Sequence, residues 1–222
     1  MISRLLLPLC VSLCALSAAP AAAQKLQYPV TKKENVEEDY HGTRVADPYR
    51  WLEDQNGSET AAWVKAQNAL TFPYLNALPE RDAIRKRLTA LWNYPRYGTP
   101  FKEGGQYFFY RNSGLQNQSV LYVQKSLTDS ARVLLDPNGL STDGTVALSS
   151  AAVSDNGKLL AYGTATSGSD WNEFRVRDVG SARDLDDHIK WAKFSGINWL
   201  KDNRGFLYSR YPEPKEDEKL KA

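Results

Sequence analysis

The sequence is 222 residues long, carries a formal net charge of +2, and is 42% hydrophobic. That near-neutral balance provides no strong attraction to nucleic acid or to a membrane surface. Its 6 Trp and 12 Tyr argue for a well-packed globular body rather than a disordered chain.

Met1 to Arg4 form a short positive start, Leu5 to Leu16 are mostly apolar, and a small-residue run from Ser17 to Ala23 follows. This is the order of an export signal, with cleavage expected after Ala23. The apolar stretch is roughly a dozen residues, whereas a spanning helix needs about 20. Leu9 before Cys10 and Leu13 before Cys14 do not supply the small residue that a lipoprotein anchor requires. Residues 1–23 therefore read as a signal peptide, and the expected location is periplasmic or secreted. Both cysteines lie inside it, so the mature chain is expected to have no disulfide and no thiolate metal site. About 200 residues remain, enough for one large domain or two small ones.

Residues 24–94 read as a helical N-terminal segment. Ser58 can cap a helix through Thr60, Trp63, Val64, Gln67 and Leu70, with apolar residues three or four apart. Pro73 is expected at or just past its end, because proline lacks the N–H that a helix interior uses. A second helix is predicted from Pro79 to about Trp92, with Pro79 in the first turn and Ile84, Leu88 and Leu91 on one face. Arg81, Arg85, Lys86 and Arg87 lie mostly off that face and read as a solvated side.

After Tyr94 the helical period disappears, and residues 95–222 read as short strands between Gly, Asn and Asp turns. The predicted strands are Gln106–Tyr110, Ser119–Val123, Arg132–Leu135, Lys158–Tyr162, Glu173–Arg177 and Gly205–Tyr208, with a turn at Asp136-Pro137-Asn138-Gly139. Three turns recur in register: Glu103-Gly104-Gly105, Ser154-Asp155-Asn156-Gly157, and Lys201 to Gly205. Each precedes a strand ending in tyrosine, at Tyr110, Tyr162 and Tyr208. A turn and aromatic strand every ~50 residues is the pattern of β-propeller blades. A β-sandwich with chance periodicity is the alternative. The expected fold is thus mixed: a short helical segment, then about two blades and the start of a third. Propellers close with four or more blades, so the chain is expected to be truncated. From Lys215 the sequence is a charged run that reads as a loop.

A strained serine elbow would appear as G-x-S-x-G. The nearest match, Gly139-Leu140-Ser141-Thr142-Asp143, fails at its last position and reads as an inter-strand turn. The two histidines, His41 and His188, each have neighbouring carboxylates, but with no nucleophile identified both read as local hydrogen-bonding residues. No phosphate-cradling glycine loop is found, a zinc site is not expected, and no cofactor is expected.

Tyr40-His41-Gly42 followed by Asp47-Pro48-Tyr49-Arg50-Trp51-Leu52-Glu53-Asp54 resembles the opening of the prolyl oligopeptidases. The likeness continues through Ala66-Gln67-Asn68, Tyr94-Pro95, Asn112 to Gln118, Val120 to Gln124, Leu135 to Asn138, Asp143 to Leu148 and Ser167-Gly168-Ser169-Asp170-Trp171. It implies a seven-bladed propeller and a C-terminal α/β-hydrolase domain that cleaves short peptides after proline with a Ser-Asp-His triad. It also implies a proline-containing oligopeptide as the partner, and a monomer in the complete protein. None of the triad residues can be carried onto this sequence, so the chain alone is expected to be inactive. In Lys193-Phe194-Ser195, Phe194 matches a propeller phenylalanine that lines the family's substrate pocket. Its other reading is plain propeller core. The alternative to an enzyme part is a non-catalytic binding module or the product of a truncated gene.

Overall fold

Local polar contacts fix the first elements of the computed structural model, which describes residues 26–213. The export signal predicted over residues 1–23 and the charged run from Lys215 lie outside the described residues. The chain divides into two units between Leu75 and Asn76.

In the first unit, β1 (Glu37–Tyr40) and β2 (Thr43–Ala46) form an antiparallel hairpin. His41 and Gly42 turn it with φ of +56° and +89°, and the Gly42 N–H donates to Asp39 Oδ1 at 2.6 Å. A single 3-10 turn, Arg50–Glu53, follows. Arg50 meets Glu38 and Asp47 at 2.6 Å each, so the charged part of the Asp47–Asp54 motif holds its own turn together. Helix α1 runs Ser58–Asn76.

Two expectations about α1 are corrected. Ser58 is the first helical residue and not the cap: the Gly57 carbonyl accepts the Ala61 N–H at 3.0 Å. Asp54 folds under that end, close enough that a Cβ on Gly57 would lie 2.7 Å from its carboxylate. Pro73 lies inside the helix instead of ending it. Its missing N–H frees only the Ala69 carbonyl on an exposed stretch, where water can satisfy it.

In the second unit, α2 spans Arg81–Trp92, two residues later than Pro79, with the Glu80 carbonyl accepting the Ile84 N–H at 2.9 Å. The strands are β3 (Arg96–Tyr97), β4 (Phe101–Glu103), β5 (Gln106–Asn112), β6 (Val120–Gln124), β7 (Arg132–Leu135), β8 (Val146–Val153), β9 (Leu159–Thr166), β10 (Trp171–Asp178), β11 (Arg183–Lys193), β12 (Asn198–Trp199) and β13 (Phe206–Leu207). One sheet has the order β3-β5-β6-β7, with β4 also on β5. The next is a four-stranded antiparallel meander, β8 to β11 in order, and β12-β13 begin a third. Consecutive antiparallel meanders are the blades of an incomplete propeller, as the turn repeat predicts. Strands β1 to β4, β8, β11 and β12 are additions to the predicted set, and the β1–β2 hairpin corrects the purely helical reading of residues 24–94.

The core lies between the two larger sheets: Phe108, Leu121, Val123, Leu134 and Leu135 from one, Val153, Leu160, Tyr162 and Val179 from the other. Each large side chain buried there contributes roughly 1.5–3 kcal/mol. The three repeated turns also meet along one rim. The Gly104 N–H donates to the Asp155 carbonyl at 3.0 Å, and the Asn156 N–H to Asn203 Oδ1 at 2.9 Å. Gly104 (φ +52°) approaches so closely that a Cβ would lie 2.1 Å from the Asn156 carbonyl oxygen. Glycine is therefore required at this turn by the neighbouring blade as well as by its own backbone.

Candidate functional site

Phe194 follows directly on β11 and is 78% exposed. It is not part of the described core. Its position is set by an irregularity in the β10–β11 pairing. Trp171 pairs with Lys193 and Asn172 with Ala192, but Phe174 pairs with Ile189, so β11 carries an extra residue there. Trp191 lies in that bulge with φ +64°, and Phe194 follows with φ +51°. Left-handed backbone at bulky residues is uncommon and persists only where the surroundings fix it.

The surroundings here are aromatic. Trp171 meets Trp191 edge to face at a centroid distance of 5.7 Å, and Tyr211 likewise at 5.7 Å. Lys193 Nζ lies 5.0 Å from the Trp171 ring centroid and 5.4 Å from that of Phe194, linking the two rings. Both flanks of Phe194 are pinned. The Tyr211 N–H donates to the Trp191 carbonyl at 2.8 Å, and the Ser209 N–H donates to Ser195 Oγ at 2.8 Å. Next to the rings is a cleft of about 230 Å³ lined by Thr164, Thr166, Ser169, Glu173, Lys190 and the two tryptophans. Its mixture of hydroxyls, apolar ring faces and one charge of each sign suits a peptide better than a purely apolar ligand.

A polar latch ties the two full blades together. Arg177 donates from Nε to Asp184 Oδ1 at 2.7 Å and from Nη1 to the Leu134 carbonyl of the preceding blade at 2.9 Å. The Tyr162 hydroxyl donates to Asp184 Oδ2 at 2.9 Å. Burial, with the Asp184 hydrogen bond and charge added, pushes the Tyr162 phenol up to about 12. Burial works to raise the Asp184 carboxyl too, but hydrogen bonds from Arg177 and Tyr162 outweigh it and hold the group below its ordinary value. Arg132 donates to the Val179 carbonyl, a second tie between the same blades.

The other residues singled out in the sequence are local. His41 is the hairpin turn residue. His188 Nε2 pairs across strands with Glu173 Oε2 at 2.6 Å. Ser141 Oγ accepts the Val146 N–H at 3.1 Å, as befits a turn, and the backbone and side-chain bonds from Thr145 lower the Asp143 carboxyl. Among the described residues no cluster of His, Cys, Asp and Glu could hold a metal, and no helix is long and apolar enough to cross a membrane. The aromatic frame around Phe194 and the Arg177–Asp184 latch escape sequence reasoning; only Trp171, at the end of a matched motif, carries a local signal.

The profile of the "Prolyl oligopeptidase, N-terminal beta-propeller domain" family matches residues 28–222. A prolyl endopeptidase from Elizabethkingia meningoseptica is 44% identical over 211 residues, covering 94% of this chain and 30% of the relative. Prolyl oligopeptidase A from Galerina marginata is 40% identical, over 77% of this chain and 26% of its own length. Among solved structures, a prolyl endopeptidase superposes with a TM-score of 0.76 at 36% identity, over 86% of this chain and 28% of that one. Prolyl oligopeptidase B from Galerina marginata, solved with a 25mer macrocyclization substrate bound, gives 0.71 at 32% identity, over 86% of this chain and 30% of that one. The chain thus spans about a third of the length of the curated relatives it matches.

Proposed function

The chain belongs to the prolyl oligopeptidase family, and from that membership we propose that it is the front part of an exported serine peptidase that cleaves short peptides after proline. The observation that carries this reading is the family match across residues 28–222, with Phe194 exposed at the end of β11. Residues 1–23 direct export and are removed. Residues 24–94 are the helical N-terminal segment, and residues 95–222 start the propeller.

In this reading the propeller admits oligopeptides and keeps folded proteins out, and Phe194 offers an apolar ring to the peptide. Covalent catalysis comes from a serine nucleophile, a histidine base and an aspartate that orients it. Those three belong to the hydrolase part of the protein, outside this chain. The complete protein works as a monomer.

The test is chromogenic. The 222-residue chain leaves a Gly-Pro p-nitroanilide peptide uncut, and the polypeptide extended with its hydrolase part cuts it and is stopped by a serine-directed inhibitor. Inhibitor-sensitive turnover by the chain alone overturns the assignment of catalysis to the missing part. A stop codon directly after Ala222 in the coding sequence instead favours a non-catalytic binding module.

A further inference from the structure

We infer that Trp171 is a positioning residue that holds Phe194 out for the substrate, with Trp191 and Tyr211 as its frame and Lys193 as the link. The inference rests on the proposed contact between Phe194 and the peptide, and deepens it by naming what keeps that ring in place.

A phenylalanine that is 78% exposed has little packing to fix its ring. Left to itself it would sample several rotamers and avoid water by folding back. Its backbone prevents this. Trp191 and Phe194 both hold left-handed φ, at +64° and +51°, a state that costs bulky residues free energy and is kept only when neighbours over-determine it. The neighbours are identifiable. Trp171 presents its ring to the edges or faces of Trp191 and Tyr211, each 5.7 Å away and within 4° of perpendicular. The Tyr211 N–H in turn donates to the Trp191 carbonyl at 2.8 Å. Ala192, between the two left-handed residues, is fully buried and bridges to Arg210. The Lys193 ammonium stands between the Trp171 and Phe194 rings, at 5.0 and 5.4 Å. Such cation–π contacts are directional enough to favour one placement of the Phe194 ring over others. Trp171 lies at the hub of these contacts while sitting on a different strand from Phe194. A ring held still loses less freedom when a ligand lands on it, so rigid presentation appears as tighter binding and not as faster chemistry.

The experiment uses the complete enzyme and two Gly-Pro p-nitroanilides, one with a free N-terminus and one with an apolar benzyloxycarbonyl group that can reach an aromatic ring. Phe194→Ala is expected to raise KM for the blocked substrate roughly tenfold with kcat little changed, the size of one lost aromatic contact. Trp171→Ala is expected to reproduce most of that rise, to change KM for the free substrate much less, and to add nothing when combined with Phe194→Ala. Trp171→Phe, which keeps an aromatic ring, is expected to restore most of the blocked-substrate KM. A Trp171→Ala effect that adds to that of Phe194→Ala, or that strikes both substrates equally, overturns the positioning role. So does an unchanged KM in Trp171→Ala when Phe194→Ala raises it. Unchanged KM in Phe194→Ala itself sinks the substrate contact and the inference together, while peptidase activity on the free substrate keeps the family-level function standing. Thermal melting of each variant separates misfolding from these outcomes, and if Trp171→Ala fails to fold, Lys193→Met breaks the same link from the other side and is read in the same way.

Discussion

The facing blades and helix α2 carry similar apolar residues and treat them in opposite ways. Phe108, Leu121, Leu134 and Leu160 are at most 1% exposed, each covered by the neighbouring sheet. Ile84, Leu88, Leu91 and Trp92 of α2 are 46–57% exposed, although their spacing is that of a well-made helix face. Beside them a groove runs along Leu88 and Trp92 to Arg96, Leu115 and Gln116. The contrast teaches that periodicity states which side of an element wants cover, while burial depends on a second element arriving. Blades bring that element with them because each is followed at once by the next.

Substitutions test the difference between the blades and α2. The largest effect is expected in the blades: Phe108→Ala should cost about 3–5 kcal/mol in chemical denaturation, whereas Leu88→Ala on α2 should stay within about 0.5 kcal/mol. Equal losses would mean the helix face is buried in solution. At the rim, Gly104→Ala should cost roughly 3 kcal/mol, because its Cβ would collide with a backbone carbonyl of the next blade. Gly105→Ala, also left-handed at φ +80° but facing open space, should lose only about 1–2 kcal/mol of conformational strain. Asp184→Ala strips the buried Tyr162 hydroxyl and Arg177 of their partner and should cost roughly 1–3 kcal/mol.

A pH dependence is expected as well. The Tyr162 phenol has its ordinary value of 10.0 in the unfolded chain and about 12 in the folded one. The unfolded state therefore gives up this proton first as pH rises. The stability it confers is complete below pH 10 and is lost progressively toward pH 12. Denaturation midpoints across that window should fall less steeply in Tyr162→Phe than in the parent chain.

Much of the architecture was legible residue by residue. Arg132–Leu135 is a strand with the bounds its apolar run suggests, and Gln106–Tyr110 and Lys158–Tyr162 fall on β5 and β9. What escaped has physical causes. β11 contains Arg183, Asp184, Asp186, Asp187 and His188, a polar run without alternation, because its first six residues are exposed at the outer edge of a blade. Charges there discourage edge-to-edge pairing, so the sequence of a good edge strand looks like a loop. β8 is masked by Ser and Ala, which have little strand preference and owe their conformation to pairing with β9. Phe194 could be singled out by resemblance, but nothing local reveals that Trp171 and Tyr211 meet, since one lies on β10 and the other in the segment after β13. The latch is hidden for the same reason: Arg177 reaches the Leu134 carbonyl 43 positions away.

The rim contacts bear on the order in which the blades can be completed. The Gly104 amide waits for a carbonyl from Asp155, and the Asn156 amide for the side chain of Asn203, each about fifty positions later in synthesis. Each blade thus has an unfinished rim until its successor is in place, so the rim of one blade is completed by the next in chain order.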